Sequence, residues 1–361
     1  MRIATVVGAR PNFVKLAPLS MELRRRGLEE IVIHTGQHYD FEMSRIFFQQ
    51  LDIPEPDVNL EVGSGSHARQ TGEVMVKVED FLGSISPDLV VVFGDVNSTL
   101  GAALAAVKIG LPVAHVEAGA RSFDRSMPEE VNRVLVDHLA RILLAPTLTA
   151  SRNLLGEGIN EDWVYLTGDI MVDAFLINRD KIEGSTVLER IKVDEGGYIL
   201  VTIHRAENTG KPERLESIID SLGRISGTKV FCLHPRTRKA LESQGLDSIY
   251  RDDSFVVTKP MGYLDFLKLE MDSRMIITDS GGVQKEAYLA GKPCLTLRST
   301  TEWPETVESG WNSLVDADPE KIIEGTRKKN SNPARNDVFG NGKASEKMVD
   351  AIVEFLSSQG N

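Results

Sequence analysis

Two groups of residues in this chain have the types and spacing to do chemistry. The first is acidic. Asp95 ends the apolar run "VVVFGD" and Glu117 ends "PVAHVE". If those runs are neighbouring parallel strands, their backbones lie about 4.8 Å apart and both carboxylates face one pocket. Held close, the two cannot both ionise cheaply and titrate as a coupled pair. Glu129 and Glu130 then open "PEEVNRVLVDHLA", where a helix dipole favours an anion, although such acids also occur as plain helix starts. Acids at strand ends can bind a metal, solvate a surface or move protons. No His/Cys/carboxylate spacing of a metal site accompanies these, so proton transfer is the expected work. Asp124 reads as loop, and Arg121, Arg125 and Arg133 as residues that set loop geometry or local charge.

The second group is built for an anion. In "MIITDSGGVQKEAYLAG" a buried run ends at Asp279, and Ser280, Gly281 and Gly282 open a helix. Missing side chains let the backbone approach a ligand, and the free amides of a helix start point at it. That combination suits a diphosphate, with Glu286 placed to accept hydrogen bonds from a ribose diol. The plainer reading is a βα turn with a serine cap. "GARPNFVK" repeats the strand–turn–helix topology and offers Arg10 and Lys15 as cations, or as two surface charges. "VTIHRAEN" brings His204 and Arg205 to the end of another strand, where a histidine is well placed for function. The D-x-D of "DADP" (Asp316 to Pro319) has the shape of a metal–diphosphate site, but it precedes a helical pattern and reads as a turn and N-cap.

These residues need elements to hold them, and the chain supplies a steady rhythm. Short Val/Ile/Leu runs without polar alternation ("IATVV", "IVIHT", "DLVVVFGD", "PVAHVEAG", "ILLAP", "VYLTGD") alternate with amphipathic helical segments. Continuous apolar runs belong to parallel sheet covered on both faces. The rhythm pauses at "DKIEGSTVLERIKVDEGG", read as an interdomain link with a short helix, and restarts with "YILVTIH", "KVFCLH", "SFVVTKP", "MIITDSGG", "PCLTLR" and "NSLV". The expectation is an α/β protein of two doubly wound, Rossmann-like domains facing across a cleft, with ligands at the carboxyl ends of the strands. The first domain is expected over residues 1–170, with a C-terminal helix at about 345–361 packing back on it, and the second over 171–344. The glycine-rich "VGSGSHARQTG" (Val62 to Gly72) reads as a mobile loop.

Bulk properties narrow the class. At 361 residues the chain suits two domains, and 41% hydrophobic with 26% charged residues is the balance of a globular protein. A net charge of −12 argues against a nucleic-acid partner, yet a local cluster of cations and helix starts can still hold a phosphate. No run approaches the roughly 18 apolar residues of a membrane span, and the first residues lack a secretory pattern. Cytoplasm is therefore expected. Cys232 and Cys294 sit in apolar runs and read as small core residues. There is no G-x-x-x-x-G-K-[ST], and "VVGARPNF" lacks G-x-G-x-x-G, which counts against P-loop and nicotinamide chemistry.

Taken in order, "GARPNFVKLAPL", "GQH", "GDVNSTL", "HVEAGARS", "MPEEVNR", "TGD", "TIHRAEN", "DSGGVQKEA", "GKPCLTLR" and "TTEWPE" resemble the non-hydrolysing UDP-N-acetylglucosamine 2-epimerases over nearly the whole chain. The resemblance implies the GT-B fold, a homodimer and no cofactor. It makes Asp95, Glu117 and Glu129 the catalytic acids and His204 the active-site histidine. It assigns Arg10, Lys15, Phe266, Ser280, Gly281, Gly282 and Glu286 to UDP. It also matches Gln37, His38, Arg69, Gln70, Arg205 and His234 to a second, activating UDP-GlcNAc site. One position departs: many bacterial members read "TTERPE", and Trp303 stands here where their arginine contacts UDP.

The chemistry implied is demanding. C2 of an N-acetylhexosamine has no adjacent carbonyl, so its proton is barely acidic. Expelling the anomeric diphosphate solves this, because C2–H then breaks as cationic character builds at C1. The expected route is loss of UDP to give 2-acetamidoglucal, then re-addition on the other face to give UDP-N-acetylmannosamine. The acids would supply proton transfer, and His204, the Ser280–Gly282 amides, Arg10 and Lys15 would stabilise departing UDP. A hydrolysing 2-epimerase, a UDP-diacetamido-uronate 2-epimerase, a GT-B glycosyltransferase and a non-catalytic sugar-nucleotide sensor are the alternatives.

Overall fold

The apolar runs form strands in register with one another; the central ones are buried on both faces, and edge strands such as Val164–Leu166 are only partly covered. A computed structural model describes residues 1–37, 48, 50–328 and 334–359. They form two units, Met1–Ile177 with Asp337–Asn361 and Asn178–Asn336.

In the first unit the strands are β1 (Arg2–Val7), β2 (Glu29–His34), β3 (Val58–Asn59), β4 (Leu89–Phe93), β5 (Val113–Val116), β6 (Ile142–Ala145) and β7 (Val164–Leu166). They make a seven-stranded sheet in the order β3-β2-β1-β4-β5-β6-β7, and all its pairings are parallel. The order reverses between β1 and β4, the switch point outside which α/β sheets bind ligands. All of Leu89–Phe93 is fully buried, as a strand covered by helices on both faces must be.

The second unit has β8 (Tyr198–Thr202), β9 (Thr228–Cys232), β10 (Phe255–Thr258), β11 (Met275–Thr278), β12 (Cys294–Thr296) and β13 (Asn312–Leu314). Their order is β10-β9-β8-β11-β12-β13, again all parallel, with the switch between β8 and β11. Alternate residues serve opposite faces. Ile199 and Val201 join one apolar cluster with Phe231 and Ile277; Tyr198 and Leu200 join another with Cys232, Ile276 and Cys294. Both cysteines are thus free core residues, and burial pushes the Cys232 thiol up to about 11 and that of Cys294 up to about 12.

Three features differ from the expectations. Residues expected as a loop at 62–72 include the start of a long helix, His67–Ile85. Its polar first turns hide the period, which Gln70, Val74, Val78 and Leu82 reveal as a buried stripe. The two-residue strand β3 was too short to show a pattern. Relative to the limits expected from sequence, the helix Ile170–Ile177 and residues 337–344 go with the first unit. Asp173 on that helix explains why: it accepts hydrogen bonds from Ala344 N (3.1 Å), Ser345 N (2.9 Å) and Ser345 Oγ (2.7 Å), capping the helix Ala344–Ser358.

Candidate active site

In the first unit, β4 and β5 are direct neighbours, with Phe93 opposite Val116. The condition for pairing Asp95 with Glu117 is therefore met: both leave adjacent strand ends. The backbone bends sharply at each. Gly94 has φ 63° and Glu117 φ 75°, and a left-handed glutamate is a strained conformation of the kind found at functional sites.

Each acid has its own cation. Lys15, on the helix Arg10–Arg25, forms an ion pair with Glu117, both side chains being about nine-tenths buried. Arg133, on the helix Pro128–Leu139, forms an ion pair with Asp95 and also reaches Glu130 at 3.1 Å. Lys15 thus lies on an acid, where the sequence reading set it among the diphosphate ligands. The Arg10 side chain and His38 fall outside the described residues.

The neighbours Glu129 and Glu130 part company. Glu130 is buried and accepts from Ser122 N (2.9 Å), Ser122 Oγ (2.9 Å) and Phe123 N (3.0 Å), so it shapes the loop. Glu129 is half-buried in the first helical turn. Arg121 pairs with Asp137 (2.7 Å) and Glu157 (2.7 Å), a structural role in line with the loop geometry expected of it.

Beneath the acids lies a group that sequence reasoning missed. His115 and Asp137 are fully buried and 2.6 Å apart. The other His115 nitrogen meets the Gly94 carbonyl at 2.8 Å, and Asp137 accepts from Gly119 N at 3.1 Å. The pair therefore ties the turn before Asp95 to the turn after Glu117. Burial pushes the Asp137 carboxyl up, but His115 and Arg121 outweigh it and hold it below its ordinary 3.8. A polar pair with one member on a strand and the other near the end of a helix 22 residues on carries no sequence signal beyond their types.

Of the residues matched to an activating site, Gln37 and Gln70 bond to the start of the helix Asn97–Lys108, whereas Arg205 and His234 belong to the second unit. Gln37 Oε1 accepts from Ser98 N (3.0 Å) and Ser98 Oγ (2.6 Å). Gln70 accepts from Asn97 Nδ2 (2.8 Å), Asn132 donates to Asn97 Oδ1 (3.3 Å), and Asn132 also donates to the Asp95 carbonyl (2.8 Å). Arg69 is exposed beside them.

In the second unit, β8 and β11 are neighbours, so His204 and Ser280 leave adjacent strand ends. Asp279, fully buried, joins them: it accepts from His204 N (3.0 Å), Arg205 N (2.9 Å) and Asn208 Nδ2 (3.0 Å). Its carboxylate also lies 3.5 Å from His204 Nδ1, so it orients the ring. The rings of His204 and His234 lie 5.7 Å apart, tilted by 40°.

Ser280 precedes the helix Gly281–Ala290, and its side chain makes no capping bond, which leaves the first helical amides, those of Gly281 and Gly282, open to an anion; the Ser280 N–H, expected among them, donates instead to Thr278 Oγ1 at 3.0 Å. A Cβ at Gly281 would stand 3.3 Å from Glu302 Oε2 and 3.5 Å from Trp303 Nε1, so side chains crowd this helix start. Glu302 is held by Arg298 (2.8 and 2.9 Å) and lies 3.9 Å from Arg205. Trp303 is buried, and the Lys285 ammonium sits 3.9 Å from its ring centroid. Glu286 is buried on the same helix, and Phe266 packs half-buried against the β8/β9/β11/β12 cluster. The "DADP" stretch caps a helix: Asp318 accepts from Glu320 N (3.0 Å) and Lys321 N (3.2 Å), and Asp316 pairs with Arg214 (2.5 Å).

Comparison with known proteins places this geometry. The family model described as UDP-N-acetylglucosamine 2-epimerase matches residues 21–353. A Methanococcus maripaludis protein named as a UDP-N-acetylglucosamine 2-epimerase homolog is 51% identical over 356 residues, 98% of this chain and 99% of its own. A Pseudomonas aeruginosa protein named UDP-2,3-diacetamido-2,3-dideoxy-D-glucuronate 2-epimerase is 42% identical over 362 residues, covering 98% of this chain and 100% of its own. The crystal structure of Methanocaldococcus jannaschii UDP-GlcNAc 2-epimerase in complex with UDP-GlcNAc and UDP superposes with a TM-score of 0.93 at 42% identity, covering 98% of this chain and 100% of that one. The doubly wound α/β architecture expected from the strand rhythm, of the GT-B type that the resemblance implied, is the one these relatives share. With the family model, the near-complete matched lengths and the superposed structure in agreement, this chain belongs to the UDP-N-acetylglucosamine 2-epimerase family.

Proposed function

We propose that this protein interconverts UDP-N-acetylglucosamine and UDP-N-acetylmannosamine by inverting C2 without hydrolysis. The observation that supports this most is the register of β4 on β5, which sends Asp95 and Glu117 off adjacent strand ends, each with a buried cation. Expulsion of UDP breaks the C1–O bond while a carboxylate takes the C2 proton, leaving 2-acetamidoglucal. Re-addition returns UDP to C1 and delivers a proton to the opposite face of C2. Asp95, Glu117 and Glu129 serve as the acids and bases. His204 and the open amides at Gly281 and Gly282 receive the departing diphosphate, and Glu286 takes the ribose diol. The relative solved with UDP-GlcNAc and UDP favours this substrate. With the reading goes a cytoplasmic homodimer that supplies N-acetylmannosamine units for glycan synthesis, and activation by UDP-GlcNAc through Gln37, His38, Arg69, Gln70, Arg205 and His234.

Incubation of the pure protein with UDP-GlcNAc in D₂O tests it. Deuterium at C2 of both epimers, without free UDP in the phosphorus spectrum, is the expected result. An inert sugar sinks the reading in favour of a transferase, and accumulating UDP favours a hydrolysing enzyme. A second substrate has one observation behind it, the 42% identical diacetamido-glucuronate epimerase. Offering both sugar nucleotides in the same assay decides between them.

A further inference from the structure

Behind the open helix start of the second unit lies an acid with no obvious reason to be there. Glu270, on the helix Tyr263–Asp272, is fully buried beside the apolar cluster of Tyr198, Leu269, Cys232 and Cys294. Neither of its carboxyl oxygens finds a donor among the described residues. The groups that act on it are all acids: Glu286, and more weakly Cys232, with Tyr198 and Cys294 feeling it in turn. The thiols and phenol are themselves pushed to higher pKa by burial and stay neutral. Burial first, then Glu286, pushes the Glu270 carboxyl well above the usual carboxylate range. Two carboxylates in contact in an apolar pocket cannot both hold charge, whereas one shared proton makes a short, charge-assisted hydrogen bond.

We propose that Glu270 is the positioning residue for Glu286: its carboxyl donates a proton to one Glu286 oxygen and leaves the other, charged, for the ribose diol of a nucleotide. This rests on the nucleotide reading of the site given above. It explains why an ionisable group is kept where an apolar one would pack at no cost. It also separates two roles within one pair, since Glu270 orients and Glu286 contacts ligand.

The test measures UDP binding by calorimetry for the wild type, Glu270→Gln and Glu270→Met. Glutamine keeps a donor toward Glu286 and methionine keeps only the volume. Glu270→Met is expected to weaken UDP about tenfold, the loss of one hydrogen bond to a charged group, and Glu270→Gln to recover most of it. Infrared spectra of the folded wild type at neutral pH should contain a protonated-carboxyl band that Glu270→Gln lacks, a readout independent of ligand. Equal UDP affinity in Glu270→Met, a Glu270→Gln as weak as Glu270→Met, or no such band overturns the proposal. A wild type that binds no UDP while showing the band would instead overturn the nucleotide reading.

Discussion

Lys15 forms a buried ion pair with Glu117, a glutamate held at φ 75° immediately after β5. The cation that sequence reasoning set near a leaving group is therefore the counter-ion of an acid. The two placements predict different kinetics. Lys15→Met should lower kcat by about 10- to 100-fold, less than loss of the acid itself, while the affinity for UDP changes little. It should also cost about 3–5 kcal/mol of stability, the usual penalty for stranding a buried charge, readable in a urea melt. A large rise in KM at constant kcat would return Lys15 to the phosphate.

The adjacent acids Glu129 and Glu130 give a second contrast. Glu130→Gln removes the charge that holds Ser122, Phe123 and Arg133 and should lower stability by about 2–3 kcal/mol. Glu129→Gln should leave the melting curve nearly unchanged and slow turnover by about 100- to 10,000-fold, as should Asp95→Asn and Glu117→Gln. Near wild-type rates in all three would discard the acid assignment.

Asp137 gives the pH prediction. Its folded carboxyl is held below its ordinary 3.8, so the native state keeps it charged where the unfolded chain protonates it. The resulting stability is present above about pH 4 and is lost as pH falls through the lower folded value. Asp137→Asn should therefore be markedly less stable than wild type at neutral pH, and the gap should close in acid. A gap that stays constant down to pH 3 would mean the Arg121–Asp137–His115 cluster is not what stabilises the turns.

A chain of amides joins Gln70 to Asn97, Asn132 and the Asp95 carbonyl. If UDP-GlcNAc activates through Gln70, Asn97→Ala should blunt the activation of reactions started from UDP-ManNAc while leaving the basal fold intact. Full activation in that variant would show that the coupling takes another route.

Much of this architecture can be read from the chain because buried parallel strands announce themselves. "DLVVVF" and "VAHV" are apolar without alternation, and the residues that follow them, Asp95 and Glu117, stand out as acids at strand ends. What could not be read depends on three dimensions. Nothing in "HVEAG" says that Glu117 bends left-handed or that His115 turns inward to Asp137. Gln70 looked like loop because the first turns of its helix are polar and flanked by glycines, and its burial comes from bonds to Gly63 and Asn97. Glu129 and Glu130 are alike in sequence and differ only in which side of the first helical turn faces the Ser122 loop.

Trp303 is the remaining departure from the family pattern that the resemblance implies, in which an arginine stands there. Its ring lies under the Lys285 ammonium, both side chains nearly buried, and its Nε1 stands close to the start of the Gly281–Ala290 helix. Restoring arginine in this setting would put two cations side by side. At about 4 Å and the effective dielectric of a partly buried site, that repulsion is about 4 kcal/mol. Trp303→Arg should thus lower the melting temperature and weaken UDP binding, even though it restores the pattern that the resemblance implies. Trp303→Phe should keep the stack and most of the affinity. Adding Lys285→Met to Trp303→Arg removes the second cation and should recover stability, a non-additive effect that a double-mutant cycle measures directly. If Trp303→Arg alone binds UDP more tightly than wild type, the lysine–tryptophan stack is not what this chain uses in the arginine's place.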